Sequence, residues 1–148
     1  MNALGDPNTD ADFEDLLLRL AKAVATAAAQ LVLQAKNVAE TADEGTRDEI
    51  IDAAKQTALT TSQLVACTKV LAPHMNSPIC QQQMVEAAKL VDSSVDNVQG
   101  ICLVSPGNFR LHTTATMIIK YLKWINFRVD KISQIEDLKF SRGLNFAN

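Results

Sequence analysis

The two histidines and three cysteines of this 148-residue chain are its best candidates for nucleophilic, acid-base or metal chemistry, and their spacing assembles none of it. His74 lies in an Ala72-Pro73-His74 loop and His112 far downstream. Neither has a carboxylate placed to share an acid-base site, so both read as surface histidines. Cys67, Cys80 and Cys102 form neither a C-x-x-C pair nor an even framework, which argues against a zinc ribbon or a disulfide scaffold and points to a reducing compartment. Free cysteine packs as a small hydrophobe, and only Cys80, near a helix start, has even a weak context for a lowered thiol pKa. The five scattered glycines contain no G-x-G-x-x-G or P-loop string. The expectation is a chain without catalytic residues, metal or cofactor.

A different chemistry is available toward the C-terminus. Lys120, Lys123, Arg128 and Lys131 interleave with Tyr121, Trp124, Phe127 and Ile132, a basic-aromatic mixture suited to an anionic membrane or a nucleic acid. It belongs to a segment that differs from the rest. Residues 1–103 hold 7 Lys+Arg and 14 Asp+Glu, whereas residues 104–148 hold 7 and 3; alanine falls from 18 to 2, and six of the seven aromatics lie in the later part. The change occurs across Gly100, Ser105, Pro106 and Gly107. Either a second element begins there or the reading frame has left its proper exon, since translated intron yields similar mixtures. The reading is a linker at 1–11, an Ala-rich helical module at 12–103 and a divergent tail at 104–148.

The elements that must position any site are helices. With 47% hydrophobic residues but only 5 Gly and 4 Pro, the chain has too few turn formers for a sandwich or barrel. No apolar run reaches about 18 residues and the N-terminus is acidic, which argues against a membrane span and a signal peptide. The first helix is predicted from Asp10 or Asp12 to about Glu40, with Phe13, Leu17, Leu20, Val24, Ala27, Leu31, Ala35 and Val38 spaced by three and four along one stripe. Gly45 breaks the chain, and Thr46 with Glu49 forms a capping box for a second helix that ends before Pro73. Ser77 and Pro78 open a third, which runs to about Val98 or Gln99.

One pattern recurs in all three helices. The first reads Leu17, Leu20, Ala21, Val24, Ala25, Ala28, Leu31, Val32 and Ala35. The second reads Ile50, Ala53, Ala54, Thr57, Ala58, Thr61, Leu64, Val65 and Thr68. The third reads Met84, Ala87, Ala88, Val91, Asp92, Val95, Val98 and, less well, Gln99. Such stripes cannot be buried alone, so the prediction is an all-α, up-down antiparallel bundle. The fourth partner, HTTATMIIKYLKWINFRVDKISQIEDL, is apolar on nearly every side without alanine pairs, and reads as an irregular or replaced fourth helix. If no fourth helix covers them, the first and third leave apolar surface bare, and the chain should bind a partner helix groove without force, or aggregate.

The strings DADFEDLLLRLAKAVATAAAQLVLQAKNVAE and IIDAAKQTALTTSQLVACTKVLAPHMNSPICQQQMVEAAKLVDSSVDNV resemble the talin rod, and within it the four-helix bundle that follows the first rod domain. The resemblance covers about residues 5–100 and stops near Cys102. It implies a cytoplasmic adaptor of cell-matrix adhesions at the plasma membrane, joined to integrin and actin through a much longer protein with an integrin-binding head. It also implies vinculin-head binding by a helix hidden in the bundle, docking of amphipathic-helix motifs from adhesion adaptors, and no nucleic acid. For vinculin the first helix is the leading candidate, through Leu17, Ala21, Val24, Ala25, Ala28, Leu31, Val32 and Ala35. The second, with Ile50, Ala54, Ala58, Leu64 and Val65, is a weaker candidate because Thr57, Thr61 and Thr68 would bring hydroxyls to a dry groove. Lys55, Gln63, Lys69, Gln82 and Lys89 are the polar positions that would meet an acidic docking motif.

Overall fold

A computed structural model describes residues 6–103 and 108–147. Four α-helices follow one another: α1 (Asp6–Glu40), α2 (Glu44–Leu71), α3 (Pro78–Cys102) and α4 (Asn108–Ala147), with a 3-10 turn at Ala72–His74 between α2 and α3. Each helix packs on its chain neighbours, α4 closes the ring against α1, and the diagonal pairs barely touch. Short links between long contacting helices force an antiparallel course. The pairing of Thr60 with Ser94 (3.2 Å) and Thr68 with Met84 (3.6 Å) shows it, because moving forward along α2 moves backward along α3. This is the all-α antiparallel bundle expected from the stripes.

The fourth helix differs from the expectation. Leu111, Ala115, Ile118, Leu122, Ile125 and Val129, spaced by four and three, are all buried and fill the remaining side of the core. Strict alternation of four and three is a bundle seam. It escaped notice in the sequence because Met117, Trp124 and Phe127 occupy the outside of the same helix and blur the period. α4 therefore covers the stripes of α1 and α3, and the expected bare surface does not arise: Leu17, Val24, Leu31, Met84, Val91 and Val95 are all 0% exposed. Each such side chain contributes about 1.5–3 kcal/mol by leaving water. One segment of α1, Asp12–Glu40, is long and apolar enough to cross a membrane by length and composition, contrary to the sequence expectation. In the fold its apolar stripe is the core face of a bundle helix.

Helix ends also depart from prediction. α1 starts at Asp6, with Pro7 in its first turn, where a missing amide costs nothing. α2 starts at Glu44 after an extended Asp43, so Thr46 is inside the helix and not its cap, and Gly45 lies in the first turn. The hydroxyl of Thr46, and then its amide, hold the Asp43 carboxyl below its ordinary value. α3 begins at Pro78 behind an extended Ser77, as expected, and continues to Cys102. Gly100 is consequently an interior helix position, where an added Cβ would meet nothing within 4 Å. Ser105, Pro106 and Gly107 lie outside the described residues.

Candidate functional site

Six of the eight residues predicted for the α1 site converge on the bundle interior. Leu17, Ala21, Val24, Ala28, Leu31 and Ala35 are at most 2% exposed. Ala25 and Val32 are half-buried, because the bundle needs a narrower stripe than the repeat supplies. On α2, Ile50, Ala54 and Leu64 are buried, Val65 is half-buried and Ala58 is exposed. Ala25, Val32, Ala58 and Val65 meet instead along a shallow groove of ≈ 520 Å³ between α1 and α2, with Thr61 and Lys69 also on its walls. Small side chains let the two helices lie close and leave this furrow between them.

The α2 core carries its hydroxyls as predicted. Thr57 donates to the Ala53 carbonyl (3.0 Å), Thr61 to Thr57 (2.7 Å) and Thr68 to Leu64 (2.7 Å). Each buried hydroxyl thereby has an acceptor one turn back on its own helix, which removes most of its desolvation cost. The Thr60 hydroxyl faces both the Thr57 carbonyl (3.2 Å) and Ser94 on α3 (3.2 Å), while Ser94 donates to Leu90 (2.9 Å). α1 has no such hydroxyls among its described buried residues, and the polar atom covered on it is the Gln34 Oε1, which has no hydrogen-bond partner among the described residues.

Two polar ties hold the ends of these helices, and the sequence analysis identified neither. Arg47 of α2 donates from Nε to the Ala39 carbonyl (3.1 Å) and from a terminal nitrogen to Ala42 (3.3 Å). α1 has no basic residue in its last turn, so a guanidinium from across the loop satisfies carbonyls at its negative end. Gln81 donates from Nε2 to the Met75 carbonyl (2.7 Å), locking the 3-10 turn to α3. An arginine three or four residues into a helix that follows a tight turn is the available signal for the first tie.

His74 is exposed, and His112 Nδ1 lies 2.6 Å from Gln99 Nε2, which links α3 to α4. Burial pushes the Cys67 thiol up, with a smaller contribution from Cys80, and pushes Cys102 up as well. All three cysteines are free thiols, and neither of these two is activated. Among the described residues no group of three His, Cys, Asp or Glu is placed to hold a metal ion. Lys55, Gln63, Lys69, Gln82 and Lys89 are all exposed. What the described residues assemble is an enclosed apolar core and a shallow groove between α1 and α2.

The sequence has known relatives. The family model for the I/LWEQ domain matches residues 8–103. The chain is 50% identical over 112 residues to mouse talin-2 and 53% identical over 103 residues to human talin-2. It is 56% identical over 97 residues to chicken talin-1. These matches cover 75%, 69% and 65% of this chain, but only 5%, 4% and 4% of the respective relatives, so the chain spans a small part of their length. With the family model spanning more than half of its residues, the chain belongs to the I/LWEQ domain family and is talin-like in sequence.

Proposed function

We propose that this chain is a rod-like bundle of a talin-type adhesion adaptor, acting as a structural link to actin and integrin and not as an enzyme, at the cytoskeleton and cell-matrix adhesions. Its α1 is a concealed ligand for the vinculin head. The observation that carries the reading is the uniform apolar stripe of α1, from Leu17 to Ala35, enclosed by α2 and α4. Helix-in-groove recognition uses apolar anchors at such spacings. One face cannot lie in the core and in a partner's groove together, so binding requires the bundle to open. Tension is a sufficient source of work: roughly 5 pN over roughly 10 nm is about 7 kcal/mol, within the ~5–15 kcal/mol stability of ordinary domains. The family match ends at residue 103, close to the proposed division between a talin-like part at 12–103 and a divergent segment at 104–148 that forms the fourth helix, although the 112-residue match to mouse talin-2 reaches past that boundary.

A single substitution tests this. Leu31→Asp places a charge in both the core and the proposed binding face, so it should loosen the bundle and yet abolish vinculin-head capture. Undiminished capture by the Leu31→Asp chain, measured by titrating labelled vinculin head, would rule out α1 as the ligand.

A further inference from the structure

The outside of α4 carries a second ridge that the bundle does not use. Met117, Lys120, Trp124, Phe127, Lys131, Ile135 and Leu138 recur at three- and four-residue steps opposite the buried seam, and all are exposed. Trp124 and Phe127 stand edge to face with centroids 6.0 Å apart. Together with Lys120 and Lys123 they frame a shallow hollow of ≈ 410 Å³. Arg128 lies 5.4 Å over the Trp124 ring and Lys131 5.3 Å over the Phe127 ring. The Arg128 Nε is covered there and has no hydrogen-bond partner among the described residues. Lys120, Lys123 and Lys131 make no ion pair among the described residues. Asp130 and Asp137 fall about 90–110° around the helix from the ridge, and Asp130 is engaged by Gln134 (3.1 Å).

We infer that this ridge docks the bundle on an anionic lipid surface, with Trp124 and Phe127 at the headgroup level and the lysines on lipid phosphates and carboxylates. Charge complementarity identifies the occupant. Residues 104–148 carry 7 basic and 3 acidic groups against 7 and 14 in residues 1–103, so the molecule has one basic side to present and an acidic remainder that such a surface repels. Aromatic rings with an apolar body and a polar edge, flanked by lysines whose stems lie along apolar surface, suit the interface between headgroups and chains. Nucleic acid fits less well. Base stacking needs open ring faces, and Arg128 and Lys131 each already occupy one face of Trp124 and Phe127. The aliphatic ends of the ridge, Met117, Ile135 and Leu138, have no role against a phosphate backbone but add area in a bilayer interface.

Trp124 is the single tryptophan of the chain, so its emission reports this face alone. The full chain is titrated with vesicles of phosphatidylcholine containing about 30 mol% phosphatidylserine, with pure phosphatidylcholine vesicles and with single-stranded oligo-dT, at roughly 0.05 M and 0.5 M salt. The expected result is co-sedimentation with the anionic vesicles at low salt, a blue shift of Trp124, and loss of both at high salt or without phosphatidylserine. The triple variant Lys120→Gln/Lys123→Gln/Lys131→Gln should bind roughly 100-fold more weakly, from a factor of about five per cation. Lys22→Gln/Lys36→Gln/Lys55→Gln, on α1 and α2, should bind as the parent does. All six lysines are exposed, so both variants should stay folded, which circular dichroism checks. Absence of low-salt binding to anionic vesicles, binding without a Trp124 shift, equal loss in both triple variants, or a preference for oligo-dT would each overturn the inference.

Discussion

If the α1 face is a ligand held out of reach by the fold, weakening the fold at a residue outside that face must strengthen binding. Ile118 provides the test, because it is 0% exposed, belongs to α4 and is no part of the proposed ligand. Ile118→Ala removes buried methyl and methylene groups and leaves a cavity in a core sealed by four helices. Such changes cost about 2–5 kcal/mol. Taking about 3 kcal/mol, the open fraction rises roughly 150-fold, and the apparent dissociation constant for a partner of the open state falls by the same factor. The assay pairs urea unfolding, which measures the loss of stability, with titration of vinculin head against the parent and variant chains. A peptide of residues 12–40 supplies the intrinsic affinity that the variant should approach and never exceed. If stability falls by the expected amount and capture does not change, the α1 stripe is not the occluded ligand and the mechanism is wrong.

Three further outcomes follow from the same structure. Arg47→Ala should lower stability by about 1 kcal/mol in urea unfolding, and Arg47→Lys should not restore it, since an ammonium cannot serve the Ala39 and Ala42 carbonyls with a planar fork. Asp43 has a native pKa depressed chiefly by the Thr46 hydroxyl, so its stabilisation is present above the ordinary aspartate range and is lost as pH falls through the depressed value. The urea midpoints of parent and Thr46→Ala should therefore differ at neutral pH and converge in acid. Cys102 is 0% exposed and its thiol is held protonated by burial, so maleimide labelling should be about 10³-fold or more slower than for the unfolded chain, and Ile118→Ala should accelerate it in step with vinculin capture.

What could be read from the residues depended on whether one pattern or two shared a helix. The buried sets of α1 and α3, from Leu17 to Val38 and from Met84 to Val98, follow the stripes expected from spacing, except that Phe13 and Leu20 are half-buried. α4 bears the Leu111 to Val129 seam inside and the Met117 to Leu138 ridge outside, and two apolar faces half a turn apart mask each other's period. The half-buried positions were illegible for another reason. The repeat includes Ala25, Val32, Ala58 and Val65 beside true core residues, and only the α1–α2 packing, close enough to leave a shallow furrow, decides which of these turn toward the axis. The start of α2 differs from the capping-box reading at Thr46 because Asp43, the residue immediately before Glu44, takes the N-cap position.

The order of the helices bears on how the ligand is released. In an up-down-up-down course the outer ends of α1 and α4 lie together, and these two helices are neighbours. They are also the longest, 35 and 40 residues against 28 and 25, or about 52 and 60 Å against 42 and 38 Å at 1.5 Å per residue. Within these two helices the last described side chains buried at that end are Leu17 and Val129, and the half-buried Phe13 and Ile132 pack against the same core beyond them. On the proposed reading, tension entering through the residues that flank α1 and α4 would act on this end and separate the pair layer by layer, from Leu17 and Val129 toward Leu31 and Ala115. Peeling breaks a few contacts at a time, whereas sliding helices past one another breaks a whole stripe together. The proposed ligand helix would thus be among the first two released, while α2, with its buried threonines, would stay paired with α3 through Thr60 and Ser94.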